Sequence, residues 1–294
     1  MIIGLGGYME YKNQHFEGER ALFKIKDSTI LNCLFDNGES PLKESRNLVI
    51  KDTTFGYKYP MWYSAFLDVS NCNFLEMSRS GIWYTNDSTF TNLNIIAPKE
   101  FRRCNNIKLD KIIFHNASET LWWCSNVNVS NTQANGDYFM MNSTDVKVDH
   151  LTLNGNYFLD GGKNIIVTNS VLNSKDAFWN CKNVLVENCI INGEYLAWNA
   201  KNITFKNCKI ISHQGLCYIQ GLVMENCTLI DSDLTFEYCS DINADIKSVI
   251  DSIKNPISGK IKCYGIKELI REEDSLDFSK TEILIKKGEN YEKI

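Results

Sequence analysis

The chain has 294 residues, 44% of them hydrophobic, and a formal net charge of −5. That mild, dispersed acidity contains no basic stripe of the kind that binds nucleic acid, and no apolar run approaches the length of a membrane span. The start, MIIGLGGYMEYKN, lacks a basic region followed by a full-length apolar segment, so no signal peptide and a cytoplasmic location are expected.

Residues 1–26 precede the first recognisable repeat and are expected to cap the N-terminal end of the repeat array, because a solenoid end exposes unpaired backbone and apolar surface. From Asp27 the sequence repeats. Equivalent openings fall at Asp27, Asn47, Phe66, Asp87, Asn106, Asn126, Asp145, Asn164, Asn183, Asn202, Gly221 and Asp241, spaced 19 to 21 residues apart. A fixed period near twenty marks a solenoid. One and three residues after each opening stand apolar pairs such as Ile165 with Val167 and Ile203 with Phe205. This alternation is that of a strand with one buried face. Five residues after the opening Asn recurs, as at Asn169, Asn188, Asn207 and Asn226. At a tight bend its side chain can bond the amide of the next turn, and a stack of them is expected to satisfy buried polar groups. A second inward pair comes next, for example Cys189 with Ile191. A third strand is expected around an apolar residue five before the next opening, from Leu22 to Phe236.

Three short strands per turn predict an all-β fold, a single-stranded right-handed parallel β-helix of about twelve turns over residues 27–246. An α-solenoid is excluded by the β-branched alternation and by too little chain per unit for two helices. The pattern decays after Cys239, and residues 247–294 are expected to cap the far end of one domain spanning 1–294. The chain has eleven cysteines. Nine share two slots of the repeat, and there is neither a CxxC pair nor metal-ligand spacing, so reduced buried thiols are expected and no metal or cofactor.

The segments QHFEGERALF (14–23) and DNGESPLKES (36–45), with the Asn-marked turns after them, resemble a family of microbial proteins of this length whose function is unknown. That family is similar to the pectin lyase-like right-handed β-helix proteins. The resemblance covers essentially the whole chain and implies the β-helix; it implies no activity and no catalytic residues. The paired aspartates, Gly-His-Gly and Arg-x-Lys of polygalacturonase-type hydrolases are missing as a set. VKVDH (146–150) is similar to a pectate-lyase strand, but His150 occupies the slot of the recurring Asn, where a structural role at the bend is expected.

Four residues before each opening lies a column holding Trp62, Trp83, Arg102, Trp122, Asp160, Trp179, Trp198 and Glu237. Its charged members argue that it faces outward, since unpaired charge is rarely buried. An exposed aromatic stripe is a binding-surface signal, suited to an oligosaccharide or another ring-containing small molecule. The alternative is an inward stack of indoles. Beside the stripe, loops carry Asp137, Asp176, Glu194 and His213; with Asp160 these are the candidate acids and bases for glycoside cleavage by hydrolysis or elimination. Arg102 is expected to hold an anionic end of a ligand. A non-catalytic carbohydrate-binding or scaffold protein is the competing expectation, because fold does not fix function.

Overall fold

A computed structural model describes residues 2–3, 9–272 and 274–294. By its internal contacts the chain divides into two compact units, Met1–Thr152 and Leu153–Ile294. Each is a stretch of parallel β-helix. In the first, strands Lys26–Leu31, Arg46–Lys51 and Ala65–Ser70 stack so that Ile30 lies over Ile50 and Ile50 over Val69. In the second, strands Lys163–Thr168, Lys182–Glu187 and Lys201–Lys206 align Val167, Val186 and Phe205 in the same way. Identical spacing of the apolar pairs is what sets this register: a slip of one residue would turn every buried side chain to solvent. The winding is right-handed, as parallel crossovers require.

The fold has about fifteen turns rather than twelve. Met9–Lys12 already pairs in parallel with Lys26–Leu31, so winding begins ahead of Asp27. Past the last recognised opening, Gly259–Cys263 and Thr281–Lys287 continue it. The turn at Met9 keeps the Asn marker at Asn13, which accepts from Asn32 at 2.8 Å; the turns past Asp241 lack the marker and the regular spacing, so the repeat alone does not reveal them.

The expected third strand is not an extended strand. From Lys99 onward the corners of the regular repeat have three alternate residues in left-handed backbone conformations, for example Tyr195, Ala197 and Asn199 at φ 56°, 59° and 56°, whereas earlier corners have two, such as Tyr59 and Tyr63 at φ 61° and 57°. A continuous ladder needs negative φ, so this segment is a tightly turned corner joined between turns by single bridges such as Trp83 to Arg102 and Arg102 to Trp122. The apolar residues five before each opening are nevertheless buried throughout, from Leu22 to Phe236. Left-handed Leu and Phe are costly locally, and burial of these side chains is what holds them there.

The core is a set of columns. In the first unit Phe16, Phe35, Phe55 and Phe74 form a face-to-face stack with centroid steps of 4.8, 5.3 and 5.0 Å. All eleven cysteines are buried and unpaired. Cys208 lies over Cys189, and Cys227 over Cys208, each thiol donating to the carbonyl two residues before it, as Cys208 does to Lys206 at 3.3 Å. The Asn side chains behave differently from expectation. They bond from turn to turn, Asn226 Nδ2 to Asn207 Oδ1 at 2.8 Å and Asn207 to Asn188 at 3.2 Å, but on the exposed surface. A residue in the left-handed conformation at an outer corner points its side chain away from the core, so the amides satisfy each other and not buried groups.

Candidate functional site

The tryptophan column lies outside the core in both units, each ring half-buried and laid against the corner. Each indole N–H donates to a backbone carbonyl in the following turn: Trp62 to Ser80, Trp83 to Lys99 at 2.9 Å, Trp122 to Tyr138 at 2.6 Å, Trp179 to Tyr195 at 3.0 Å and Trp198 to Gln214 at 2.9 Å. The column therefore pins successive turns together. The charge argument for its facing holds only in part, because Glu237 in the same slot is buried, with Lys254 Nζ 3.1 Å away.

In the first unit the rings cover one another. Trp62 and Trp83 stack at 5.1 Å and 6°. The Arg102 guanidinium sits between Trp83 and Trp122, 4.5 and 4.7 Å from their centroids, and bonds Glu119 at 3.2 Å. Lys99 holds the other oxygen of Glu119 at 3.2 Å. Asp137 is exposed in the same unit.

In the second unit the column opens into a cavity of about 270 Å³ lined by Tyr157, Lys175, Asp176, Trp179, Tyr195 and Trp198. Trp179 and Trp198 are nearly parallel, 5.9 Å apart at 16°. Tyr157 meets Trp179 edge-on at 6.2 Å, and Tyr195 meets Trp198 at 5.4 Å and 74°. Asp176 is 2% exposed. Burial pushes its carboxyl above the usual range; Glu194 and Asp160 push the same way, while Lys175 and a hydrogen bond from Tyr157 restrain the rise. Lys175 is itself shared between Glu194 at 3.4 Å and the Tyr195 ring at 4.9 Å. Asp160 accepts from Asn180 at 3.0 Å. The structure thus brings together Asp176, Trp179 and Trp198, with Glu194 and Asp160 close enough for their charges to bear on Asp176. His213 is engaged by Asp233 on an exposed edge.

His150 occupies its bend with φ 53° and bonds Asp149 at 2.7 Å. Among the described residues, His15, Glu17 and Asp36 gather within 4.8 Å on the surface of the first unit. Asp36 lies 2.6 Å from His15 and, through that hydrogen bond, raises its pKa. The segments containing GER and GES are the same corner in consecutive turns: Arg20 N–H donates to the Glu39 carbonyl at 2.8 Å, and a side chain at Gly38 would collide with the Gly18 carbonyl.

Sequence reasoning missed the tyrosines that wall the cavity. Tyr59, Tyr138, Tyr157 and Tyr195 share one slot, three residues before the column. That recurrence was available as a signal, but a flat strand would have carried Tyr and Trp to opposite faces. The left-handed corner brings Tyr157 and Trp179 of consecutive turns into contact instead.

No curated protein matches the chain by sequence. Several solved structures are similar in fold. A surface adhesin of Streptococcus pneumoniae, PfbA, is 10% identical with a TM-score of 0.44, over 98% of this chain and 92% of that one. The tailspike protein of E. coli bacteriophage HK620, solved with a pentasaccharide, is 12% identical with a TM-score of 0.41, over 89% of this chain and 62% of that one. The A-module of the Azotobacter vinelandii mannuronan C-5 epimerase AlgE4 is 11% identical with a TM-score of 0.30, over 95% and 89%. No residue role carries over at these levels. The family profile of the proteins of unknown function DUF3737 matches residues 9–284, and the chain belongs to that family.

Proposed function

We propose that the protein binds a carbohydrate ring in the second-unit cavity and that Asp176 is the acid group of that site. The observation that carries this is a buried carboxyl at the base of a cavity walled by two indoles and two phenols. Flat aromatic faces suit the apolar faces of sugar rings, and a few convergent polar groups fix orientation. A carboxyl kept protonated further up the pH scale than usual suits proton donation to a glycosidic oxygen. Asp160 or Glu194, whose charges bear on Asp176, would supply the base.

The first-unit half of the column supports a structural reading for its own members. Arg102 fills the space between Trp83 and Trp122 and is already paired, so these rings hold turns together and offer little free face.

A thermal-shift screen of neutral and acidic oligosaccharides tests the proposal. A ligand at about 100 times its Kd should add about 2.7 kcal/mol of stability. Asp176→Asn should abolish cleavage of a bound oligosaccharide while keeping its binding within a fewfold. Full cleavage by Asp176→Asn would remove the acid role, and absence of any saccharide shift would remove the site.

A further inference from the structure

The first unit has a second open cavity, about 510 Å³, lined by Lys43, Glu44, Arg46, Tyr63, Tyr84 and Asn86. It uses none of the tryptophans of the column. One wall is Tyr63 on Tyr84, ring centroids 4.7 Å apart and 2° from parallel. Both tyrosines occupy the left-handed corner position three before an opening, at φ 57° and 58°. Along the neighbouring strands Arg46, Ala65 and Asn86 are in register in three consecutive turns. The other strands of this unit that open on a residue in this register begin with larger ones, such as Lys26 and Asn105. Ala65, between Arg46 and Asn86, is itself buried, so the cavity wall on this side is formed by Arg46 and Asn86.

The charge of this cavity is uncompensated. Glu44, its one acid, is paired with Lys24 at 3.1 Å. Among the described residues neither Lys43 nor Arg46 takes part in an ion pair, and Lys43 Nζ instead lies 5.7 Å from the Tyr63 centroid. Two free cations beside a flat aromatic wall match a ring that carries about two negative charges. A phosphate monoester has about −1.5 to −2 at neutral pH, a carboxylate only one. Arginine's planar fork adds two-point contact to phosphate oxygens. The next residue along the chain from Ala65 supports a surface kept for contact: Phe66, 55% exposed at φ 57°, stands where the other openings carry Asn, Asp or Gly. A bulky left-handed aromatic is locally unfavourable and, exposed, regains little by burial.

We propose that this cavity binds a phosphorylated sugar, its ring against Tyr63 and Tyr84 and its phosphate held by Arg46 and Lys43. Titration calorimetry on the full chain with a hexose phosphate, inorganic phosphate, the unphosphorylated hexose and a hexuronate tests it. The hexose phosphate should bind at least about tenfold more tightly than each of the others, and its affinity should fall as salt is raised. Arg46→Gln should weaken it about tenfold or more without changing the melting temperature, since Arg46 is exposed. Tyr63→Ala should weaken the hexose phosphate and leave inorganic phosphate unchanged. Equal binding of inorganic phosphate, preference for the hexuronate, unchanged affinity in Arg46→Gln, or no saturable binding would each overturn the proposal. These variants leave the second-unit cavity intact, so the two sites are tested separately.

Discussion

Glu100 is fully buried in the first unit, and neither of its carboxyl oxygens closes a hydrogen bond. Burial pushes its pKa well above the ordinary value, and the backbone N–H groups of Gly81 and Ile82, near the carboxyl without closing a well-formed hydrogen bond to it, restrain the rise. A folded-state pKa raised in this way contributes stability that is present below the unfolded value and lost as pH rises through the folded one. Glu100→Gln should therefore melt with the wild type in acid and higher than it near about pH 8, by about 1–3 kcal/mol; a variant less stable than wild type at both pH values would show that the carboxylate has an unrecognised partner. Gly81→Ala should be destabilising, because a Cβ there would lie 2.9 Å from the Ser78 backbone carbonyl oxygen and press on the Glu100 carboxyl, which being buried has little room to move. The thiols follow the same physics. Burial drives Cys72 and Cys217 up to about 12, so few are thiolates at neutral pH. A thiol reagent should label the native protein slowly and all eleven cysteines after denaturation; rapid native labelling of most of them would contradict the buried columns.

At the scale of the element, the corners matter more than the strands. The inward pairs Val184 with Val186 and Ile203 with Phe205 were legible in the sequence because strand alternation has a period of two, and a buried face forces it to be kept. The slot of Trp179 and Trp198 was legible as a column but not as a geometry. Its neighbours at φ near 60° turn the chain in a way that no hydrophobic period encodes, and the Tyr157 and Tyr195 walls of the cavity result from that turn. The same corners make two substitutions informative. Trp198→Phe keeps an aromatic ring, though a smaller one, and removes the N–H donated to Gln214, and should lower stability by at least about 1 kcal/mol. Asn207→Ala removes two side-chain hydrogen bonds, the one it donates to Asn188 and the one it accepts from Asn226, and puts a side chain without a polar handle at φ 51°, whereas Asn207→Gly relieves the backbone and loses only those hydrogen bonds. Denaturant melts should rank wild type above Gly and Gly above Ala; the reverse order of the two variants would mean that backbone conformation at this corner is not limiting.

Across the whole molecule, repetition explains both what could be read and what could not. From Asp27 to Asp241 each turn restates the same code, so the fold class can be read from the sequence. The turns at Gly259 and Thr281 depart from that code and needed the pairings themselves, while the turn at Met9 keeps it, with Asn13 in the marker slot. The proposed saccharide site lies where repetition is broken: Asp176 takes the slot that holds tyrosine in the turns of Tyr157 and Tyr195. No period announces such an exception, and the sequence favours Asp160, on the stripe itself, over Asp176, which it makes one of several possible partners on the neighbouring loops. The central claim is that the second-unit cavity binds saccharide through Asp176, Trp179 and Trp198. Its most direct test is a calorimetric titration of the full chain with the best oligosaccharide from the thermal-shift screen, repeated on Trp179→Ala and on Trp122→Ala, each first shown to be folded by circular dichroism. Saturable binding that falls about tenfold or more in Trp179→Ala and is unchanged in Trp122→Ala is the predicted result. Equal binding by wild type and Trp179→Ala, or loss only in Trp122→Ala, would contradict it.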